Sequence, residues 1–207
     1  GTALSIGATA FTVVPGTLTV TNKDQTLSID PVSPIIGSTV LINVVRSAPG
    51  AGALSYSVVS NVGAGSATID ASGNLLTIQA GDITLTVSTP GDTNFLPVTA
   101  TRKITISKVI PVLSITSGTT LAVDLTLQAT TSTTASISDG GVVTFSINNS
   151  SGSAVVDPYT GLVTGVGAGT VTLIARSAGD INYAQAETST VLTIVRGEQA
   201  LTLNSST

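Results

Sequence analysis

The chain has 207 residues, of which 9% are charged, carries a net charge of −4, and contains no Cys, His, Met or Trp. This excludes disulfides, Cys or His nucleophile chemistry, and zinc sites built from N and S ligands. Seven Lys and Arg in total leave no basic footprint for nucleic acid, and no basic amphipathic helix is present for a membrane surface.

Few charges do not mean disorder here. Hydrophobic residues make up 42% of the chain, enough to bury a core. Sixty residues are Ser or Thr, and Thr clothes a β surface without charge. Mean hydropathy is +0.51, yet no apolar run approaches the roughly 18 residues of a membrane span. The apolar residues alternate with Thr and Ser instead, which predicts strands with one buried face and no membrane insertion.

In chain order, residues 1–23 read as the tail of a preceding unit. Strands are then expected at Thr26–Ile29, Thr39–Val45, Leu54–Val59, Ala67–Ile69, Leu75–Gln79, Ile83–Ser88 and Ala100–Ser107. A second set is expected at Val112–Thr116, Val123–Thr130, Val142–Ile147, Ala154–Val156, Leu162–Thr164, Thr170–Arg176 and Ser189–Val195. Gly, Pro, Asn and Asp clusters punctuate them, among them Asp70–Asn74, Pro90–Asp92, Asp139–Gly141, Asp157–Gly161 and Ala178–Asp180.

The chain says nearly the same thing twice. Gly65–Phe95 reads GSATIDASGNLLTIQAGDITLTVSTPGDTNF and Gly152–Tyr183 reads GSAVVDPYTGLVTGVGAGTVTLIARSAGDINY. Asp70 matches Asp157, Gly73 Gly161, Gly81 Gly169, Asp92 Asp180, Asn94 Asn182, and Phe95 Tyr183. A fixed period of this size marks repeated modules. Seven short strands per period predict an immunoglobulin-like sandwich, without the Cys–Trp–Cys core of antibody domains. The expected rings of the aliphatic core are Tyr56, Phe95, Phe145 and Tyr183.

The expected architecture is all-β, with tandem immunoglobulin-like β-sandwiches arranged end to end. Residues 24–108 and 109–196 are the sandwiches, and 197–207 is the first strand of a following repeat. Lys23, Lys108 and Arg196 close successive units, and strand sequence resumes within a few residues. That leaves no room for a flexible linker. Each sandwich is expected to close by a ladder between its first and last strands, with Pro31, Pro34, Pro97 and Pro111 protecting open edges.

Two endings, Gly91-Asp-Thr-Asn-Phe95 with Ile104–Lys108 and Gly179-Asp-Ile-Asn-Tyr183 with Leu192–Arg196, resemble bacterial Ig-like repeats. The Gly161–Thr172 stretch, with its looser copy at Gly73–Thr84, is similar to the same family. Phe11–Val20 resembles the closing strand of an MBG-type repeat. The combination resembles cell-surface adhesins of gliding bacteria. The resemblance implies a non-catalytic stalk of a large secreted adhesin, which spaces a distal binding region from the cell and transmits force. It implies an extracellular, cell-surface location, with neighbouring repeats, surface polysaccharide or other surface components as partners. Two other readings are a carbohydrate- or protein-binding Ig-like module and accessory modules of a secreted enzyme.

No catalytic residues are expected. The nine Asp and two Glu are scattered into turns, which leaves no acid–base pair. Calcium needs only oxygen ligands, and the recurring Asp70, Asp92, Asp157 and Asp180 are its candidates, with Asp82 and Asp139 in nearby turns. Without an Asp-x-Asp-x-Asp loop, the expected role of these residues is to brace their own turns; no cofactor is expected. Gly81 and Gly169 are expected at positive φ. Asn148 and Asn204 match glycosylation sequons but read as loop chemistry. Tyr159, in the turn Asp157–Gly161, reads as a partly packed turn residue rather than a sugar-stacking ring.

Overall fold

In the computed structural model the chain is all β. The structure describes residues 3–6, 9–12, 16–17, 19–49, 51–60, 65–133 and 142–198. Asp139, Asn204 and most of the strand expected over 197–207 lie outside the described residues.

Strands β1 (Ala3–Ile6) and β2 (Thr9–Thr12) form an antiparallel hairpin. Of the strand expected over Phe11–Val20, Phe11 and Thr12 belong to β2, residues 16, 17, 19 and 20 are not in a strand, and Val20 is 84% exposed; the rest lies outside the described residues. A strand needs a neighbour for its N–H and C=O groups, and none among the described residues pairs with 16, 17, 19 or 20.

The first sandwich comprises β3 (Leu27–Ile29), β4 (Thr39–Leu41), β5 (Val44–Arg46), β6 (Ser55–Ser60), β7 (Ser66–Ile69), β8 (Asn74–Gln79), β9 (Gly81–Thr89) and β10 (Val98–Ile106). One face holds β3-β5 and β4-β8-β7, the other β10-β9-β6. The expected strand Thr39–Val45 is split because its halves serve different partners. β4 pairs with β8 and β5 with β3, and between them the Ile42 N–H donates to the Gly73 carbonyl.

The second sandwich comprises β11 (Leu113–Ile115), β12 (Thr120–Ala122), β13 (Thr126–Gln128), β14 (Thr131–Thr133), β15 (Val143–Asn149), β16 (Ser153–Val156), β17 (Leu162–Gly167), β18 (Gly169–Ser177) and β19 (Ala186–Val195). One face holds β11-β14 and β13-β17-β16, the other β12-β19-β18-β15. The expected strand Val123–Thr130 is interrupted: the chain turns at Asp124, at φ +64°, and β13 begins two residues later. In both sandwiches, strands one, two, five and four of the immunoglobulin order face strands three, six and seven, which defines an immunoglobulin-like fold.

Each sandwich has its own apolar cluster. Ile29, Ile42, Leu75, Ile83, Leu85, Val87, Ile104 and Ile106 fill the first. Leu113, Leu121, Phe145, Val163, Val171, Leu173, Leu192 and Ile194 carry the second. Alternation along β9 and β18 puts Ile83, Leu85 and Val87, or Val171 and Leu173, inward, and leaves Thr between them on the half-exposed face. Each such aliphatic side chain contributes about 1.5–3 kcal/mol by leaving water. Phe145 and Tyr56 join the clusters as expected; Phe95 and Tyr183 do not, and sit half-buried in loops instead.

The expected ladder between first and last strands exists, but not through the first strand. β11 pairs with β14, and it is β12 that runs parallel to β19, from Thr120↔Thr193 to Ala122↔Val195. In the first sandwich the same closure shrinks to one parallel bridge, Ile35↔Ser107. The Ser107 N–H donates to the Pro34 carbonyl at 2.9 Å and the Ile36 N–H to the Ser107 carbonyl at 3.1 Å. Pro34, which lacks a donor, is tolerated at this edge.

Candidate functional site

The four recurring Asp residues each sit in a turn. Asp92 Oδ1 accepts from the N–H groups of Asn94 (2.7 Å) and Phe95 (3.0 Å), and Asp180 Oδ1 from those of Asn182 and Tyr183 (2.7 Å each). Asp70 Oδ1 accepts from Ser72 (2.8 Å) and Asn74 (2.9 Å). Asp157 Oδ1 accepts from Tyr159 (2.9 Å) and Thr160 (2.8 Å). All four calcium candidates therefore brace their own turns. The structure does not bring them together: no group of three or more metal-ligating side chains exists among the described residues.

Hydrogen bonds hold two of these carboxyls below the usual carboxylate range. At Asp70 the largest cause is the Asn74 side-chain amide, and at Asp157 the backbone N–H of Thr160. Asp82 is lowered first by its bond to Lys103, at 2.7 Å, and next by Thr105. The Asp70 and Asp157 turns also explain why matched residues lie 87 positions apart at Asp70 and Asp157 but 88 apart from Gly73 and Gly161 onward. Asp70 closes on Gly73 and Asn74, while Asp157 closes on Gly161 and Leu162, with one more residue in the turn. Tyr159 within it is 76% exposed. The expectation that it is partly packed fails, because the bracing is done by backbone and carboxylate and asks nothing of the ring.

A second recurrent element is the corner between the fifth and sixth strands. One residue, Ala80, joins β8 to β9 across the two sheets, and Ala168 joins β17 to β18. Gly81 and Gly169 open the outgoing strands at φ +129° and +139°. A corner residue belongs to neither ladder, so its N–H needs another partner. At Ala80, which is 4% exposed, the acceptor is Asn182 Oδ1 of the second sandwich, at 3.1 Å. Beside it, Lys108 Nζ donates to the Asp180 carbonyl at 2.6 Å, and Ile181 lines a hollow with Ala80, Gly81, Asp82 and Ser107. The Gly179–Tyr183 loop of one sandwich thus sits on the corner of the other.

The chain crosses this junction without slack. Ser107 is bridged to Ile35, Val109 is bridged to Tyr183, and Lys108 alone lies between. The Val109 N–H donates to the Asn182 carbonyl, and the Ala184 N–H to the Val109 carbonyl. At the start of the first sandwich, Lys23 pairs with Phe95 as Val109 does with Tyr183, while the Asn22 side chain donates to the Asp92 carbonyl as Lys108 does to that of Asp180. Lys23 is therefore the counterpart of Val109, not of Lys108, which corrects the expectation that basic residues mark every boundary alike.

No family model matches the chain, and no curated protein matches it. Among solved structures the chain is similar to the fibronectin(III)-like modules of Clostridium thermocellum CbhA, at 13% identity over 86% of this chain and 100% of that one, with a TM-score of 0.33. It is similar to the Ig1–Ig3 ectodomain of mouse nectin-like molecule 4, at 13% identity over 87% and 67%, with a TM-score of 0.32. Three N-terminal domains of the bacteriophage RB49 outer capsid protein Hoc match at 14% identity over 84% and 71%, with a TM-score of 0.31. The immunoglobulin-like assignment rests on the strand order within each sandwich.

Proposed function

We propose that this chain is a non-catalytic stalk segment of a large, repetitive bacterial cell-surface adhesin. Its sandwiches, residues 24–108 and 109–196, stand end to end, with 1–23 and 197–207 belonging to neighbouring repeats. It spaces a distal binding region from the cell and carries load in surface adhesion or gliding motility, outside the cell and without a cofactor. The observation that carries this reading is the junction at Lys108. One residue between two bridged residues makes a stiff joint, which serves a spacer and hinders a pair of modules meant to close around a ligand. The test is small-angle X-ray scattering on the 207-residue chain. An end-to-end pair, each sandwich roughly 40 Å long, gives a radius of gyration of roughly 26 Å. A folded-back pair gives roughly 17 Å, and that value, or saturable binding to a defined glycan, overturns the spacer role.

A further inference from the structure

The junction has two halves, and each sandwich carries both. One half is the corner with the basic residue after the last strand: Ala80 with Lys108 in the first sandwich, Ala168 with Arg196 in the second. The other is the Gly-Asp-x-Asn-aromatic loop, Gly91–Phe95 in the first sandwich and Gly179–Tyr183 in the second. In the middle of the chain, loop and corner are joined; at the two ends, among the described residues, the Gly91–Phe95 loop meets no corner and the Ala168 corner meets no loop. Asn182 and Asp180 are half-buried, while Asn94 and Asp92 are exposed, although the carboxylate braces both loops alike. Ala80 is buried with its N–H capped by Asn182; Ala168 is exposed, and its N–H has no partner among the described residues. Arg196, exposed like Lys108, follows the last strand and lies beside a hollow of about 600 Å³ shared with Val166, Gly167 and Ala168.

We propose that the Ala168 corner, with Arg196, is a socket for the Gly-Asp-x-Asn-aromatic loop of a further sandwich of this same type. The incoming Asn side-chain oxygen accepts from the Ala168 N–H, and the Arg196 guanidinium donates to the carbonyl of the incoming Asp. The residue before the aromatic sits on the corner, as Asn182 does on Ala80. The proposal rests on the stalk reading and names its partner: a neighbour recognised through one loop, with the rotation between sandwiches set by the Asn cap.

The test is a chain in which a second copy of residues 109–196 is inserted between Arg196 and Gly197, with amide hydrogen exchange read by NMR. Ala168 exchange is expected to slow by about fivefold to tenfold relative to the original chain, the effect of one added hydrogen bond. Asn→Ala in the inserted loop restores fast exchange at Ala168, and Asn→Asp, which keeps the acceptor, does not. Asn182→Ala, read in the same way, speeds exchange at Ala80; its own backbone N–H stays braced by Asp180, so the loop is expected to fold. If Ala80 responds to Asn182→Ala but Ala168 is indifferent to the insertion, the socket is overturned and the stalk reading survives. If Ala80 does not respond to Asn182→Ala either, the cap on which the socket is patterned does not hold and the socket is overturned, while the stalk reading, which rests on the bridges flanking Lys108, is decided by its scattering.

Discussion

The two sandwiches solve one backbone problem by different means. In each, the chain crosses from one sheet edge to the other beside the fifth strand, and the crossing must be hydrogen-bonded. In the second sandwich the fifth strand offers Gly165. The crossing chain lies against its backbone, with Asp124 N–H donating to the Gly165 carbonyl at 2.9 Å and the Gly165 N–H to the Leu125 carbonyl at 3.1 Å. A Cβ there would stand 2.6 Å from the Ala122 carbonyl oxygen. In the first sandwich the same place holds Thr77, whose Gly37 and Ser38 backbone bonds match those of Gly165. Its buried hydroxyl adds a bond to the Ile35 carbonyl at 2.8 Å and accepts from the Ser38 N–H at 3.0 Å. The glycine admits close approach and a three-residue parallel ladder at β12; the threonine holds the crossing at a distance, and the ladder shrinks to one bridge. Repeats keep the hydrogen-bond requirement and vary the residue that meets it.

The comparison breaks most sharply in the cores. Leu85 and Leu173 occupy matching, fully buried places in β9 and β18. Leu85→Ala and Leu173→Ala are each expected to cost about 2–5 kcal/mol. Hydrogen exchange after each change should rise only in the sandwich that carries it; a rise in both would show that the junction couples their unfolding. At the crossing, Gly165→Ala is expected to cost about 1–3 kcal/mol, because the added carbon must push the Ala122 carbonyl away. Thr77→Val should lose a similar ~1–3 kcal/mol by leaving buried backbone groups without their hydroxyl. Equal stability of either variant and the original in urea would show that the crossing is not held as described.

The smallest expected effect is in acid. Among the described residues, the first sandwich carries two carboxyls held below 3.8, Asp70 and Asp82, and the second carries one, Asp157. A carboxyl lowered by folding stabilises the fold above its unfolded value, and that contribution fades as pH falls through the lower folded value. Unfolding followed sandwich by sandwich below about pH 3.8 should therefore weaken the first more than the second. Asp82→Asn, which removes the Lys103 partner, should reduce that difference. All three groups are at the surface, so the shift is small.

What the sequence made legible follows from its physics. Alternation in Ile83–Ser88 and Thr170–Arg176 announced β9 and β18, since one face is dry. Asp followed closely by Gly or Asn announced the turns, and the structure found the carboxylates where turn chemistry puts them. β14 escaped notice because Thr131-Ser-Thr133 has no apolar alternation, and its place is fixed by β11 rather than by its own side chains. Asp124 was read as strand because nothing in the composition marks a non-glycine residue that must turn left; its counterpart Gly37, at φ +78°, carries the signal openly. Ala80 was invisible for a different reason. Its role depends on Asn182, which lies 102 residues away, and a lone alanine has no chemistry that reveals a neighbour.

The single residue between Ser107 and Val109 makes the chain behave as a lever with a very short pivot. With planar peptide bonds, the rotation between the two bridged residues is confined to the few backbone dihedrals around Lys108. The ten-residue β19 alone spans about 33 Å, so a tilt of about ten degrees at the pivot moves the far end of the second sandwich by roughly 6 Å. A substitution there too small to alter either core would therefore re-aim everything beyond it.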